Sequence, residues 1–119
     1  MTITGIDHVQ VAAPPGCEDE ARAFYGGLLG LVEIPKPAAL AARGGCWFRA
    51  GAQELHVGMG DFAPGAEKAH PGLVDDDLDA VAERLAARGY EVLFDDAIPG
   101  VTRLYTFDPF GNRLEIRQA

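Results

Sequence analysis

Basic residues are scarce in this chain: 10 Lys and Arg stand against 18 Asp and Glu, a formal net charge of −8 over 119 residues. That balance argues against a nucleic-acid partner, which needs a basic face to displace counterions. Cysteine is equally sparse. Cys17 and Cys46 are the only two, with no close Cys-x-x-Cys spacing, so the expectation is a reduced, cytoplasmic chain without a disulfide framework. The acidic run Glu18-Asp19-Glu20 beside Cys17 would raise its thiol pKa and speaks against a redox role. Long apolar runs are missing too. Hydrophobic residues make up 48% of the chain but are too scattered to span a membrane. The N-terminus shows no basic region followed by an apolar stretch, and no signal peptide is expected. A length of 119 residues suits one domain with a modest core.

What the chain does have is a plan stated twice. The first half reads strand (Ile6–Val11), helix (Cys17–Leu28), Gly30, then strands ending at His56. The second reads strand (His70–Val74), helix (Asp77–Arg88), Gly89, then strands ending at Glu115. The spacings agree: His8 to His56 is 48 residues and His70 to Glu115 is 45. Letter-by-letter identity between the halves is low, so the plan repeats rather than the sequence. Further strands are expected at Leu31–Ile34, Cys46–Ala50, Glu54–Val57, Glu91–Phe94 and Arg103–Phe107. Pro35–Gly45 and Gly58–Lys68 read as loops, the latter linking the halves. The order βαβββ–βαβββ predicts an α+β fold, a mixed sheet with segregated helices.

The helices are well marked. Leu78, Val81, Ala82, Leu85 and Ala86 share one face, Asp76 is placed to cap the start, and Arg88-Gly89 to close the end. The acidic run Asp75–Asp77 resembles a metal cluster but is read as a capped helix start. In the first helix Ala21, Phe24, Tyr25 and Leu28 form the buried stripe. Gly26-Gly27 inside it predicts early termination or close packing. At the other end of the chain, Asp108-Pro109-Phe110-Gly111-Asn112 is a tight turn by composition. It leads into a strand where Leu114 and Ile116 alternate with Arg113, Glu115 and Arg117.

The candidate chemistry lies on the polar phases of these strands. His8, His56, His70 and Glu115 alternate with Val9 and Val11, Leu55 and Val57, and Leu114 and Ile116. The chain has only three histidines, and all fall in this set. One such histidine alone would be read as a surface or hydrogen-bonded residue. All three, repeated by half-chain, point to a site for a borderline divalent ion (Zn, Fe, Mn, Co or Ni). Glu54 lies two residues from His56 on the same phase and is the nearest candidate base. Gln10 shares the His8 face. Arg113 and Arg117 share the Glu115 face. Trp47 and Arg49, or alternatively Phe48, face the site from the third strand. Arg103, Tyr105 and Phe107 share a phase, with Tyr105 a candidate hydrogen-bonder to substrate.

Asp7-His8-Val9, the segment Ala23-Phe24-Tyr25 through Leu28-Leu29-Gly30-Leu31, His70 ahead of an Asp-Asp-Leu-Asp helix, and Asp108-Pro109 through Leu114-Glu115 together resemble the vicinal oxygen chelate superfamily. That group holds glyoxalase I, extradiol dioxygenases, fosfomycin-modifying thiol transferases and bleomycin-binding proteins. The resemblance covers essentially the whole chain, as one domain of two βαβββ modules at about 1–60 and 66–119. It implies a cup of curled sheet with helices outside, and a metal acting as Lewis acid on an enolate or oxyanion. The reaction stays open among lyase, isomerase, thiol transferase and dioxygenase. By resemblance His8, His70 and Glu115 match the two-histidine, one-carboxylate ligand set. The fourth ligand position falls on Glu54 or His56, with His56 the better fit and Glu54 and Glu115 as the catalytic carboxylates. The potassium loop of the thiol transferases has no match here. The resemblance also implies a small-molecule substrate and a homodimer, each site pairing His8 and His56 of one subunit with His70 and Glu115 of the other. The alternative is a metal-free protein that sequesters a small molecule.

Overall fold

In the computed structural model, which describes residues 1–61, 63 and 67–119, the chain divides into two compact units, 1–63 and 64–119. Each is an α+β βαβββ module with its own four-stranded mixed sheet.

Unit 1 comprises β1 (His8–Ala13), α1 (Glu18–Ala21), a π-helical continuation (Arg22–Leu28), β2 (Val32–Ile34), the short α2 (Ala38–Ala41), β3 (Cys46–Ala50) and β4 (Gln53–Met59). The sheet order is β1-β4-β3-β2, with β1 parallel to β4 and the other pairs antiparallel. Strand alternation then sorts side chains by face. Phe48, Leu55 and Val57 turn inward to meet Phe24, Tyr25 and Leu28 of the helix, all of them buried. The open question about β3 is thereby resolved. Phe48 belongs to the core, and Trp47 and Arg49 take the opposite face with His56 and Glu54, their register partners.

Two expectations for the first helix are corrected. The helix does not end at Gly26-Gly27, and a methyl group at Gly26 would meet only ordinary contacts, 3.7 Å from the Leu31 carbonyl and 3.8 Å from Phe48. The helix instead loosens to π geometry, with Leu29 N–H donating to the Phe24 carbonyl five residues back at 3.0 Å. β1 starts two residues later than expected and runs to Ala13. Ile6 is left exposed, and Val9 is 38% exposed although it lies on the inward phase. The Pro35–Gly45 segment holds α2, and β4 takes in Gly58 and Met59 from the expected linker. Residues 62 and 64–66 of that linker lie outside the described residues.

Unit 2 comprises β5 (Gly72–Asp75), α3 (Leu78–Ala87), β6 (Leu93–Asp95), β7 (Arg103–Phe107) and β8 (Arg113–Gln118), in sheet order β5-β8-β7-β6 with β5 parallel to β8. Leu78, Val81 and Leu85 of α3 supply the buried helix face, and Leu104, Leu114 and Ile116 the buried sheet face. The cap is Asp77, not Asp76: its carboxylate accepts from Ala80 N–H at 3.1 Å, while Asp75 accepts from Asp77 N–H at 2.7 Å. β6 begins at Leu93 rather than Glu91, and His70 precedes β5 instead of opening it. The Asp108 turn forms as its composition dictates. Asp108 Oδ1 accepts from Phe110 and Asn112 N–H at 2.9 and 2.8 Å, and Gly111 takes φ +89°. This turn sets the register that aims Glu115 away from the helix.

Candidate metal centre

On the helix-free face of unit 1, β4 and its neighbours bring together His8, Gln10, Trp47, Arg49, Glu54 and His56. His56 is buried and lies between two rings. Trp47 stacks on it at 3.9 Å with a 3° interplanar angle, and His8 at 4.2 Å with 14°. His56 Nε2 meets Glu54 Oε1 at 2.9 Å. His8 Nδ1 meets Asp7 Oδ2 at 2.9 Å. A carboxylate only accepts, so in a neutral ring these contacts are met by a proton on Nδ1 of His8 and on Nε2 of His56. The lone pairs left to bind an ion are then His8 Nε2 and His56 Nδ1. Arg49 Nη1 stands 3.7 Å from Glu54 Oε2. Gln10 packs against Gly58, where a methyl group would lie 2.3 Å from its amide nitrogen.

The matching face of unit 2 holds Arg103, Tyr105, Phe107, Arg113, Glu115 and Arg117. Glu115 is buried at 4% exposure. Its Oε1 accepts from Arg103 Nη1 at 2.8 Å and its Oε2 from Arg117 Nε. Burial pushes the Glu115 carboxyl up. The Arg117 hydrogen bond and the charges of Arg117 and Arg103 outweigh it and hold the group below the usual carboxylate range. His70 donates from Nδ1 to the Lys68 carbonyl at 2.8 Å and turns Nε2 toward Glu115 Oε1 at 3.3 Å.

The two units place their donors by the same rule. Gly72, two residues after His70, is the register partner of Glu115, and Gln10, two residues after His8, is the register partner of His56. His56 is therefore the unit 1 counterpart of Glu115. Glu54 takes the position that Arg113 holds in unit 2. Trp47 and Tyr105 correspond in turn, each the antiparallel partner of its unit's ligand candidate.

Among the described residues, no group of three or more His, Cys, Asp or Glu side chains stands ready to hold an ion. Within each unit two such side chains or more lie on one face, His8 with His56 in unit 1 and His70 with Glu115 in unit 2. The donor chemistry of these pairs fits a divalent ion. In a neutral His70 ring both Nε2 and Glu115 Oε1 are acceptors, and two acceptors 3.3 Å apart call for a proton or cation between them. A backbone carbonyl on the far ring nitrogen is the support usual for metal-binding histidines. A carboxylate offers about four lone pairs. Arg103 and Arg117 use two, leaving capacity for an ion.

Sequence reasoning overlooked one residue and one bond here. Asp95 accepts from Arg103 Nη2 and so helps aim that guanidinium at Glu115. The pairing depends on the β6–β7 register, which composition does not disclose. Arg117 was placed on the Glu115 face, but its direct bond to Glu115 was not foreseen.

Paired βαβββ modules with polar side chains on their helix-free faces define the α+β class to which this chain belongs. The chain belongs to the Glyoxalase/Bleomycin resistance protein/Dioxygenase superfamily, whose family description matches residues 5–116. Its fold and sequence are similar to a glyoxalase family protein of Bacillus anthracis, at 52% identity and TM-score 0.92 over 99% of this chain and 97% of that one. A lactoylglutathione lyase of Agrobacterium tumefaciens shares the fold at 22% identity and TM-score 0.74, covering 100% and 96%. So does the fosfomycin resistance protein FosX of Listeria monocytogenes, whose structure holds Mn(II) and a dihydroxypropylphosphonic acid, at 18% identity and TM-score 0.81 over 99% and 94%. No curated protein matches the chain. Among the described residues no helix is long and apolar enough to cross a membrane.

Proposed function

We propose that the chain is a metal-dependent enzyme of the vicinal oxygen chelate type, with His8, His56, His70 and Glu115 as ligands. The observation that carries this reading is the register equivalence of His56 with Glu115, each two residues along the ladder from a histidine. A divalent ion held there would supply Lewis-acid stabilisation of negative charge developing on a substrate oxygen. Glu54 is the proposed base. Its carboxylate is 24% exposed, beside His56 and opposite His8 in register. Tyr105 orients substrate through its hydroxyl, and Trp47 and Gln10 form part of the pocket wall. Arg103 and Arg117 keep Glu115 ionised, so it offers a lone pair rather than a proton. The protein is proposed to work in the cytoplasm as a homodimer, with His8 and His56 of one subunit completing a site with His70 and Glu115 of the other.

Metal titration calorimetry tests this reading. Alanine at His8, His56, His70 or Glu115 is expected to weaken binding at least about tenfold, since even outer-shell losses cost that much. Glu54→Gln is expected to keep metal and lose turnover. Equal affinity for wild type and Glu115→Ala would sink the ligand assignment. Mixing His8→Ala with Glu115→Ala chains is expected to restore one intact site per heterodimer. No recovery in a confirmed heterodimer would place each site within one chain.

One observation favours a second reading, that of a metal-free sequestering protein. Glu115 is already compensated by two guanidinium groups. That reading predicts ligand binding indifferent to chelators.

A further inference from the structure

Three arginines lie on the unit 2 site face, and they are not equivalent. Arg103 and Arg117 both pair with Glu115, and Arg103 also pairs with Asp95. Arg113 pairs with no carboxylate among the described residues, in a chain with 18 acidic residues. Its guanidinium carbon lies 4.1 Å from the centre of the Tyr105 ring, and Arg103 approaches the same ring at 5.2 Å. One of its five N–H donors is used, Nη1 reaching the Glu67 carbonyl at 3.3 Å. The other donors have no partner among the described residues.

Beside this guanidinium opens a cavity of about 280 Å³, lined by Arg113, Tyr105, Phe107, Leu93 and Glu67 among others. Its volume falls just under the range of about 300–1,000 Å³ usual for ligand pockets, so the ligand must be small. Its walls are polar and apolar in nearly equal measure, with Leu93 and Phe107 supplying apolar surface and Arg113 the cation. The guanidinium is planar, with its N–H groups in a fork that matches a carboxylate. Contact with the Tyr105 ring fixes it without using those donors. The other cation on that ring, Arg103, is already paired with Asp95 and Glu115, which leaves Arg113 as the guanidinium open to an anion.

We propose that this cavity binds the carboxylate of a small organic acid bearing an apolar substituent, with Arg113 as the residue that selects the anion. The proposal rests on the reading of this sheet face as the substrate face. It names a substrate class for that face: a carboxylic acid whose apolar end lies against Leu93 and Phe107.

The test is an NMR titration of the intact ¹⁵N-labelled protein with phenylacetate, phenylacetamide and phenylphosphonate, with and without a chelator. Phenylacetate is expected to shift the Gly111, Asn112 and Arg113 amides. Phenylacetamide should bind at least about tenfold more weakly, the step that 1.4 kcal/mol makes. Arg113→Gln is expected to lose the phenylacetate preference. Arg113→Lys, which keeps charge without the fork, should retain it only in part, and serves if the glutamine variant fails to fold. The proposal is overturned if the amide binds as well as the acid, if Arg113→Gln binds phenylacetate unchanged, or if phenylphosphonate binds more tightly than phenylacetate. Metal titration of Arg113→Gln is expected to match wild type. Phenylacetate binding through Arg113 in a wild type that takes up no metal supports this proposal and overturns the metal-centre reading alone.

Discussion

Glu115 is the buried carboxylate at the centre of the unit 2 ion-pair network, and its pH behaviour follows from its neighbours. Its folded pKa is depressed, so the stability it contributes is present above the unfolded value of about 4.3 and is lost as pH falls through the lower folded value. Glu115→Gln leaves Arg103 and Arg117 without their shared partner. It is expected to lower the melting temperature at pH 7 by at least about 4 °C, the shift that ~1 kcal/mol makes in a domain of this size. The gap should close below pH 4, and thermal melts across that range check it. The cysteines give a second residue-level expectation. Burial, followed by the nearby Glu18, raises the Cys17 thiol, and burial pushes Cys46 up to about 11. Both side chains are buried. Native protein is therefore expected to resist a thiol reagent at pH 7.5, and denatured protein to titrate two thiols. Fast labelling of either cysteine in the native state would contradict the burial.

The elements show which parts of the structure could be read from sequence and why others could not. β3 and β7 fall where their alternation put them, and the Asp108 turn forms from its own side chains. Such features are decided locally. β1 and β5 start later than expected because a parallel edge strand exists only where its distant partner does: His8 pairs with Glu54, and Gly72 with Glu115. The π-helical stretch was hidden because α and π turns bury the same stripe of Phe24, Tyr25 and Leu28. Within the site, the faces of His8, His56 and Glu115 were legible from strand phase. The Lys68 carbonyl that holds His70 was not, since a backbone acceptor leaves no mark on composition. Two element-level variants test the geometry. Asp77→Ala removes the cap of α3 and is expected to cost about 1 kcal/mol in denaturant unfolding. Gly45→Ala is expected to cost more. Gly45 has φ +84°, and a methyl there would sit 2.1 Å from the Val57 carbonyl, a backbone clash between β4 and the entry to β3.

At the scale of the whole molecule, the two units resemble each other in plan but differ in the charge of their site faces. Unit 1 offers two stacked imidazoles and a carboxylate, and unit 2 two guanidiniums on one buried carboxylate with a third, Arg113, against the Tyr105 ring. The difference separates the labour proposed above: nitrogen donors on one face, anion recognition on the other. It also gives the protein an internal optical probe. Trp47 is the only tryptophan in 119 residues, and its indole lies face to face with His56 at 3.9 Å. All tryptophan emission from the protein therefore arises one ring away from a proposed ligand. An open-shell ion such as Ni(II) or Co(II) bound there should quench that emission steeply, through excited-state transfer to its d levels. Closed-shell Zn(II) should leave most of it intact while competing for the same site. Fluorescence of the unmodified protein would thus count ions at the His8–His56 pair without any label.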